Sequence, residues 1–223
     1  MSKIAIITAR GGSKRIPKKN IKEFMGKPML AYAIQAAKDS GIFDEIMVST
    51  DSTEIANVAQ KYGASVPFLR SEKTSSDFAT TADVLNEVVE EYKKRGKEFD
   101  TICCIYPCAP FLTGKILKEA AEVFIKSNRR ALTPVVKFSY PIQRAFIIKD
   151  ENLIFREPEY ENARSQDLEA TYHDVGMFYF SSSDKNKKEG RAAYIMDEMN
   201  IQDIDTIDDW KIAELKYRMI NNV

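Results

Sequence analysis

Cationic side chains and glycines are concentrated in one short stretch near the beginning of the chain. Five cationic side chains fall between Arg10 and Lys19, together with the run Gly11-Gly12-Ser13, and Asn20 follows. Glycines let the backbone turn tightly and bring its amide N–H groups close to an anion, and the cations add positive charge at the same place. The apolar run Ile4-Ala5-Ile6-Ile7 before the stretch predicts a buried strand. We favour a polyphosphate site at the carboxyl end of this strand over a solvated basic loop.

A pair of carboxylates near the other end of the chain is the second group able to do chemistry. Asp203 and Asp205 stand two residues apart in a segment predicted to be extended, so their side chains project in the same direction. Mg²⁺ is often bound by one or two carboxylates together with water and phosphate oxygens. The pair is our candidate magnesium site, and a bound metal could lower the pKa of a water or a hydroxyl group. The alternative, which the spacing alone favours, is that Asp205 only caps the final helix.

The single histidine and the three cysteines have less direct chemical meaning. His173 could serve as a general base, but we favour a structural or ligand-contacting role. Cys103 and Cys104 are neighbours on a predicted strand and point to opposite faces, so they cannot bind one metal ion together. With Cys108 they are expected to be small apolar residues of a reducing compartment.

Strand and helix patterns alternate through the first two-thirds of the chain. Five short apolar runs predict strands, the third of them at a sheet edge: residues 4–7, 45–50, 66–69, 101–106 and 131–136. Amphipathic patterns between them predict helices, one of which is capped by Thr80 or Thr81. We therefore expect an α/β fold with a mostly parallel, Rossmann-like sheet between two helical layers. Ligands bind such sheets at the carboxyl ends of the strands. Four residues fall there: Arg10, Asp51, Arg70 and Tyr106.

Residues 137–172 break this pattern. The segment contains a predicted hairpin, formed by Phe146-Ile147-Ile148 and Leu153-Ile154-Phe155, and is otherwise polar and irregular. A segment of this length without regular structure is typical of a functional element or of one that packs on a partner. We therefore interpret residues 1–223 as a single domain from which residues 137–172 protrude as an arm.

The balance of charge excludes some classes of partner. The 223 residues include 33 Lys and Arg against 33 Asp and Glu, so no net field would attract nucleic acid or a membrane surface. No apolar stretch approaches the length needed to span a bilayer. The first residues show no signal-peptide pattern, and we expect a cytoplasmic protein.

The opening motif resembles that of a known family. Residues Ala9 to Ile21 match A-R-G-G-S-K-x-[IL]-P-x-K-N-[IL] throughout. This pattern opens the CMP-sugar synthetases, the cytidylyltransferases that activate nine-carbon acidic sugars. Residues 46–51, 69–70 and the D-I-D-T block at 203–206 resemble later blocks of the same family, so the resemblance spans nearly the whole chain. Residues 106–111, where sialic acid enzymes carry Q-P-T-S-P, resemble the pseudaminic acid branch, as do residues 138–145.

The resemblance implies nucleotidyl transfer with Mg²⁺ as cofactor. The anomeric hydroxyl of a nonulosonic acid would attack the α-phosphate of CTP and release pyrophosphate. Implied catalytic residues are Arg10, Lys19 and the metal ligands Asp203 and Asp205. Implied nucleotide-binding residues are Ala9, Arg10, Gly11, Gly12, Ser13, Lys19, Asn20 and Arg70. Implied sugar-binding residues are Thr80, Thr81, Tyr106, Gln143, Arg144, Arg164, His173 and Phe178. We expect Lys14, Arg15 and Lys18 to be solvated.

Several alternatives stay open at this point. Pseudaminic acid is the implied sugar, with sialic, legionaminic or keto-deoxyoctulosonic acid as alternatives. A non-catalytic nucleotide-binding regulator on the same fold is an alternative of another class, against which the carboxylate pair argues. The resemblance also implies a homodimer in which the arm reaches the neighbouring sugar site, with action within one chain as the other possibility.

Overall fold

Eleven strands and six helices form the part of the chain that the structure, a computed structural model, describes, namely residues 2–222. The strands are β1 (Lys3–Thr8), β2 (Glu23–Phe24), β3 (Lys27–Pro28), β4 (Glu45–Ser49), β5 (Thr101–Ile105), β6 (Arg129–Lys137), β7 (Phe146–Lys149), β8 (Asn152–Phe155), β9 (Tyr172–Asp174), β10 (Phe178–Ser182) and β11 (Lys188–Ile195). The helices are α1 (Met29–Ser40), α2 (Thr53–Lys61), α3 (Glu72–Ser75), α4 (Thr81–Lys94), α5 (Gly114–Ser127) and α6 (Ile207–Asn221).

A seven-stranded sheet forms the centre of the protein. Its order is β11-β6-β10-β5-β1-β4, and β9 pairs with one end of β6. The strands β4, β1, β5, β6 and β11 run in one direction, whereas β10 and β9 run antiparallel to their neighbours. The predicted mostly parallel α/β sheet is thus confirmed.

The first strand shows why the sheet is buried on both faces. Ala5 and Ile7 belong to the larger apolar cluster, which α1, α5 and α6 cover. Ile4 and Ile6 point the other way, into a smaller cluster with Val88 of α4. Alternating side chains of one apolar strand therefore supply two cores, as expected for a strand with helices on both faces.

The N-termini of helices α4 and α6 follow directly from the sequence. Thr80 caps α4 in a capping box with Asp83, and Thr206 caps α6 in the same way with Asp209. The proposal that Asp205 caps the final helix is therefore wrong, because the next residue does so. The carboxylate of Asp205 is left free to face elsewhere.

The predicted edge strand at residues 66–69 is absent, and only Ser65 makes a bridge, to Met47. Pro67 has no N–H to donate to a sheet, so the chain leaves β4 soon after the bridge. The polar loop that follows contains the short helix α3, which was not predicted. The sequence also has strand character at residues 174–180, but the structure has two strands there, β9 and β10, on either side of Gly176, whose φ of 67° breaks the extended conformation.

The arm contains the expected hairpin, β7 paired with β8. Asp150 and Glu151 both have positive φ, which is the geometry of the tight turn that suits twisted hairpin strands. The hairpin carries exposed apolar side chains, and Ile148 is 78% exposed. A two-stranded sheet of this kind is only marginally stable without cover. Across residues 2–222, no helix is long and apolar enough to cross a membrane.

Candidate active site

A cleft of about 680 Å³ opens at the carboxyl edge of the sheet, beside the ends of β1 and β5. The basic loop forms one wall, and Tyr106 and the segment around Asp203 contribute to the others. The sequence-predicted residues that line it are Arg10, Ser13, Lys19, Asn20, Arg70, Thr81, Tyr106, Asp203 and Asp205. Residues distant in sequence therefore meet at the strand ends, where parallel sheets bind ligands.

The glycine pair is held by the turn after β4. The amide of Gly11 donates to Asp51 Oδ1 at 2.7 Å, and a Cβ on Gly11 would stand 3.3 Å from Ser52 Cβ. The amide of Ser13 donates to the Gly11 carbonyl at 3.0 Å. A side chain at position 11 would be tight against this turn, and glycine avoids that contact. Two of the amides expected to bind phosphate are engaged within the protein in this conformation.

The cations of the loop reach carboxylates on both sides of the cleft. Arg10 NH1 lies 2.7 Å and Lys14 Nζ lies 2.6 Å from the two oxygens of Asp77. Arg15 NH1 lies 2.9 Å and Lys19 Nζ lies 3.5 Å from Asp205. Hydrogen bonds from Lys14 and Arg10 hold the pKa of Asp77 below its usual value. Lys14 and Arg15 are exposed, as expected, and they also line the cleft.

Lys18 faces away from this cluster and pairs with Glu54 at 2.8 Å.

Asn20 and Arg70 are fixed by the backbone around them. The side-chain amide of buried Asn20 donates to the backbone carbonyl of Arg10 at 2.8 Å, which secures the turn of the basic loop. Arg70 donates to Ser49, from Nε to the hydroxyl at 3.1 Å and from NH2 to the carbonyl at 2.7 Å. Burial lowers the pKa of Arg70. Both side chains are therefore pre-positioned by contacts at the end of β4 and within the loop.

Tyr106 lines the cleft and packs against a second tyrosine, Tyr179. The hydroxyls of Tyr106 and Thr81 are 3.3 Å apart, and the Tyr106 ring lies edge-on to Tyr179 at 5.5 Å. Tyr179 donates to Asp174 Oδ1 at 2.8 Å. Burial and the bond to Asp174 raise the pKa of the Tyr179 hydroxyl. Tyr106 is thus held by neighbours that keep its hydroxyl on the cleft side.

Some predicted residues lie elsewhere in this chain. Ala9 is buried behind the loop and bonds to Ser49. Thr80 is engaged as the α4 cap. Phe178 is 0% exposed and belongs to the core, so its side chain is not available to a ligand in this structure. Outside the cleft lining are four residues of the arm and its flank: Gln143, Arg144, Arg164 and His173.

Only some of the polar groups of these arm residues have hydrogen-bond or ion-pair partners nearby. Arg164 pairs with Asp167 at 2.7 Å on the surface. His173 is exposed, lies against Phe138 at 4.8 Å between ring centroids, and contacts the Asp174 carbonyl at 3.0 Å. At the base of the arm, three buried polar atoms of the described chain have no hydrogen-bond partner: Gln143 Oε1, Arg144 Nε and Thr171 Oγ1. Buried atoms of this kind normally have a partner, which water or another group can supply.

Sequence reasoning missed several residues that shape the cleft. Asp77 and Glu87 carry no motif, and only the fold brings Asp77 to the cleft and Glu87 to Ser71. Asp51 was located at a strand end but its contact with Gly11 was not predicted. Cys108 lines the cleft, and its thiol donates to Asn20 Oδ1 at 3.5 Å. None of these four contacts follows from local spacing.

The Cys108 thiol should react slowly with alkylating reagents. Burial raises its pKa to about 11, so very little thiolate is present near pH 8. Thiolate is the nucleophile, and we expect native protein to be alkylated by iodoacetamide roughly 100-fold more slowly than an ordinary cysteine. Mass spectrometry of the Cys108 peptide gives the rate, with urea-unfolded protein as the control. Rapid native modification would contradict the burial of this thiol.

The carboxylate pair has the donor chemistry for a Mg²⁺ ion. Both Asp203 and Asp205 line the cleft. Asp205 is paired with Arg15 and Lys19, whereas the Asp203 carboxylate has no hydrogen bond or ion pair within residues 2–222. The described residues contain no cluster of three or more His, Cys, Asp or Glu able to hold a metal. The pair therefore fits an ion that takes its remaining ligands from water and phosphate.

A cationic loop after the first strand and two carboxylates line one cleft, which is a set of groups suited to a nucleoside triphosphate and a metal ion. The cytidylyltransferase family model matches residues 4–207. The chain is 41% identical over 226 residues to the pseudaminic acid cytidylyltransferase of Campylobacter jejuni, which covers 98% of this chain and 97% of that protein. This chain belongs to the cytidylyltransferase family.

Two other comparisons show how far this similarity extends. The CMP-N,N′-diacetyllegionaminic acid synthase of Legionella pneumophila is 42% identical, but over only 123 residues, or 54% of this chain and 52% of that protein. A solved structure of CMP:2-keto-3-deoxy-manno-octonic acid synthetase complexed with CTP superposes with a TM-score of 0.70. It covers 100% of both chains at 15% identity, which supports the fold alone.

Proposed function

We propose that the acceptor of this cytidylyltransferase is pseudaminic acid and that the cleft holds CTP and the sugar together. The reaction is transfer of CMP from CTP to the anomeric hydroxyl of a nonulosonic acid, with release of pyrophosphate. The observation that carries this proposal is the meeting of the basic loop with the carboxylate pair, where Lys19 Nζ lies 3.5 Å from Asp205. Because CTP is a cytoplasmic nucleotide, we expect the reaction to occur in the cytoplasm.

The charges of the cleft suit the triphosphate. Arg10 and Lys19 reach into it from the basic loop, and Arg10 can bind two phosphate oxygens at once. Charge neutralisation and positioning supply most of the catalysis in phosphoryl and nucleotidyl transfer. A volume of about 680 Å³ falls within the range of sites that enclose small ligands.

Asp203 and Asp205 would hold Mg²⁺. When bound, the metal would neutralise phosphate charge and lower the pKa of a hydroxyl that it touches. Asp205 already contacts Lys19 and Arg15, so the same carboxylate can keep the two cations close to the phosphates. Lys19 also donates to the Ile204 carbonyl at 2.7 Å, which ties the basic loop to the carboxylate segment.

The choice of sugar depends on the wall around Tyr106. Its hydroxyl and that of Thr81 face the cleft and can bond to substituents of the acceptor. The relative named for pseudaminic acid matches nearly the whole chain, whereas the one named for a legionaminic acid matches about half. The second observation supports pseudaminic acid over legionaminic acid.

The arm supports a homodimer in this proposal. Its hairpin exposes apolar side chains, and buried polar atoms at its base have no partner within the described chain. A two-fold partner would cover the hairpin and could receive Arg144 at its sugar site. There a guanidinium would bind the sugar carboxylate with two hydrogen bonds.

Pyrophosphate release with a panel of acceptors tests the proposed function. We expect release from CTP and Mg²⁺ with pseudaminic acid to exceed that with sialic, legionaminic or keto-deoxyoctulosonic acid. An acceptor-free reaction is the control for CTP hydrolysis. A higher kcat/KM with another nonulosonic acid would reassign the sugar, and no release with any acceptor would favour a regulator.

The identity of the nucleotide base should also affect kcat/KM. With the preferred acceptor, CTP should give a kcat/KM at least about 100-fold above that of ATP or GTP, because a pocket built for a pyrimidine excludes the larger purine. The same pyrophosphate assay measures all three nucleotides. Equal turnover with a purine triphosphate would contradict a pyrimidine site.

A further inference from the structure

The loop of residues 71–79 lies over the basic loop and is fixed at its base. Glu87 of α4 accepts hydrogen bonds from the amide and the hydroxyl of Ser71, at 2.8 and 2.7 Å. It also accepts one from the hydroxyl of Thr74. Burial alone would raise the pKa of Glu87, but these hydrogen bonds outweigh it and the pKa is lowered. A charged carboxylate therefore holds the beginning of the 71–79 loop against α4.

The far end of the same loop carries Asp77 into the cleft. One carboxylate oxygen accepts from Arg10 NH1 at 2.7 Å and the other from Lys14 Nζ at 2.6 Å. Both oxygens are thus bound by cations, as the oxygens of a bound phosphate would be. Asp77 is exposed, and no core contact prevents it from moving away.

We propose that Asp77 is a placeholder for phosphate: it occupies the anion position of Arg10 and Lys14, gives way to the nucleotide, and returns to compete with pyrophosphate. This inference rests on the proposed function only in assigning Arg10 to phosphate, and it adds Lys14 because both cations bind the same carboxylate. It adds that a carboxylate of the protein sets the affinity and the release of the anion. Glu87 is the matching positioning residue, because it fixes the loop that brings Asp77 there.

The physical reason is competition within one molecule. An anion can bind both cations only in the fraction of molecules in which Asp77 has moved away, so its apparent affinity is reduced by that fraction. A carboxylate tethered beside the site acts at a high effective concentration and can replace a departing anion quickly. The competing carboxylate therefore weakens substrate binding and speeds product release.

Binding of inorganic pyrophosphate by isothermal titration tests the proposal directly. The titration is done in EDTA, so that only the cations of the protein contribute. Asp77→Asn should bind pyrophosphate about five-fold more tightly than wild type, since two exposed ion pairs no longer compete. Glu72→Gln is the matched control, because it removes the same charge from the same exposed loop and should leave the Kd unchanged.

An unchanged or weaker Kd for Asp77→Asn would overturn the proposal. So would equal tightening by Glu72→Gln, because that result would indicate a general field instead of a placeholder. This measurement needs neither CTP nor a sugar. It can therefore succeed even if the acceptor is misassigned, and it can fail while the pyrophosphate-release assay confirms the enzyme.

Movement of the loop gives a second measurement. Phe78 is next to Asp77 and is 95% exposed, so Phe78→Trp places a reporter where the loop must move. Pyrophosphate should change its emission, while Trp210, buried in the core, gives a constant background. The change should be at least halved in Phe78→Trp with Asp77→Asn, because the loop is no longer held at the cations. No change in the single variant, at saturating pyrophosphate, would show that Asp77 is not displaced.

Discussion

Replacing Asp203 by Asn should lower kcat at least about 100-fold with Mg²⁺ while leaving stability within about 0.5 kcal/mol of wild type. Its carboxylate lines the cleft but makes no hydrogen bond or ion pair with residues 2–222, so folding does not depend on it. We expect its charge to serve the ligand alone. Pyrophosphate release at saturating CTP and thermal unfolding measure the two quantities.

Asp205→Asn provides the comparison. This variant should also lose kcat, but it removes the ion pairs with Arg15 and Lys19. Those side chains are partly exposed, so the pairs contribute about 1 kcal/mol or less. That corresponds to a fall in Tm of about 2–4 °C for a chain of this size. Near-normal rates for both variants would mean that the metal, if required, binds elsewhere.

Glu214→Gln controls for a general effect of lost negative charge. Glu214 lies on α6 beyond the cleft and bonds to Trp210 Nε1 at 2.9 Å. Its replacement should leave kcat unchanged. A loss of rate equal to that of Asp203→Asn would contradict a specific role for the carboxylate pair.

The part of the site that sequence predicted is the part carried by local patterns. The strand and basic loop from Ile4 to Asn20 are continuous in sequence, and their position at the sheet edge follows from an apolar run that ends in glycines. Asp203 and Asp205 were found by spacing and by a matched block. Each of these signals lies within a few residues, so no knowledge of distant contacts was required.

The remaining features depend on contacts between distant segments. Asp77 reaches Arg10 across 67 positions, and no spacing rule connects them. Phe178 was placed at the sugar site by the family resemblance, but burial of alternate residues puts it in the core. The prediction of an edge strand at residues 66–69 was wrong because the apolar pattern was given more weight than Pro67. Long-range contacts and burial, which only the fold reveals, decided the first two features, whereas the missing N–H of Pro67 could be read from the sequence.

The arm prediction leads to a complementation experiment. Arg144 lies at the base of the arm outside the cleft of its own chain, and its Nε is buried without a partner in the described residues. If it serves the neighbouring site, Arg144→Ala and Asp203→Asn homodimers should each be inactive. A mixed dimer would then hold one site with both defects and one with neither. Unfolding and co-refolding equal amounts should restore activity.

The expected recovery of activity can be calculated. Random pairing makes half of the dimers mixed, and each mixed dimer has one intact site of two, so the rate should approach about a quarter of wild type. Arg156→Ala is the matched control, because Arg156 is an exposed arginine of the same arm with no assigned role. It should be active alone, and its mixture with Asp203→Asn should show only the activity that the two proteins have separately.

Recovery near zero would have a definite meaning if mixed dimers are shown to form by native mass spectrometry. Both residues would then serve the same subunit, and the arm would have to fold back over its own cleft. The unpaired atoms of Gln143 and Arg144 would then find partners by that movement. The two geometries also differ in dilution, since action across the dimer requires activity to fall as subunits dissociate, whereas action within one chain does not.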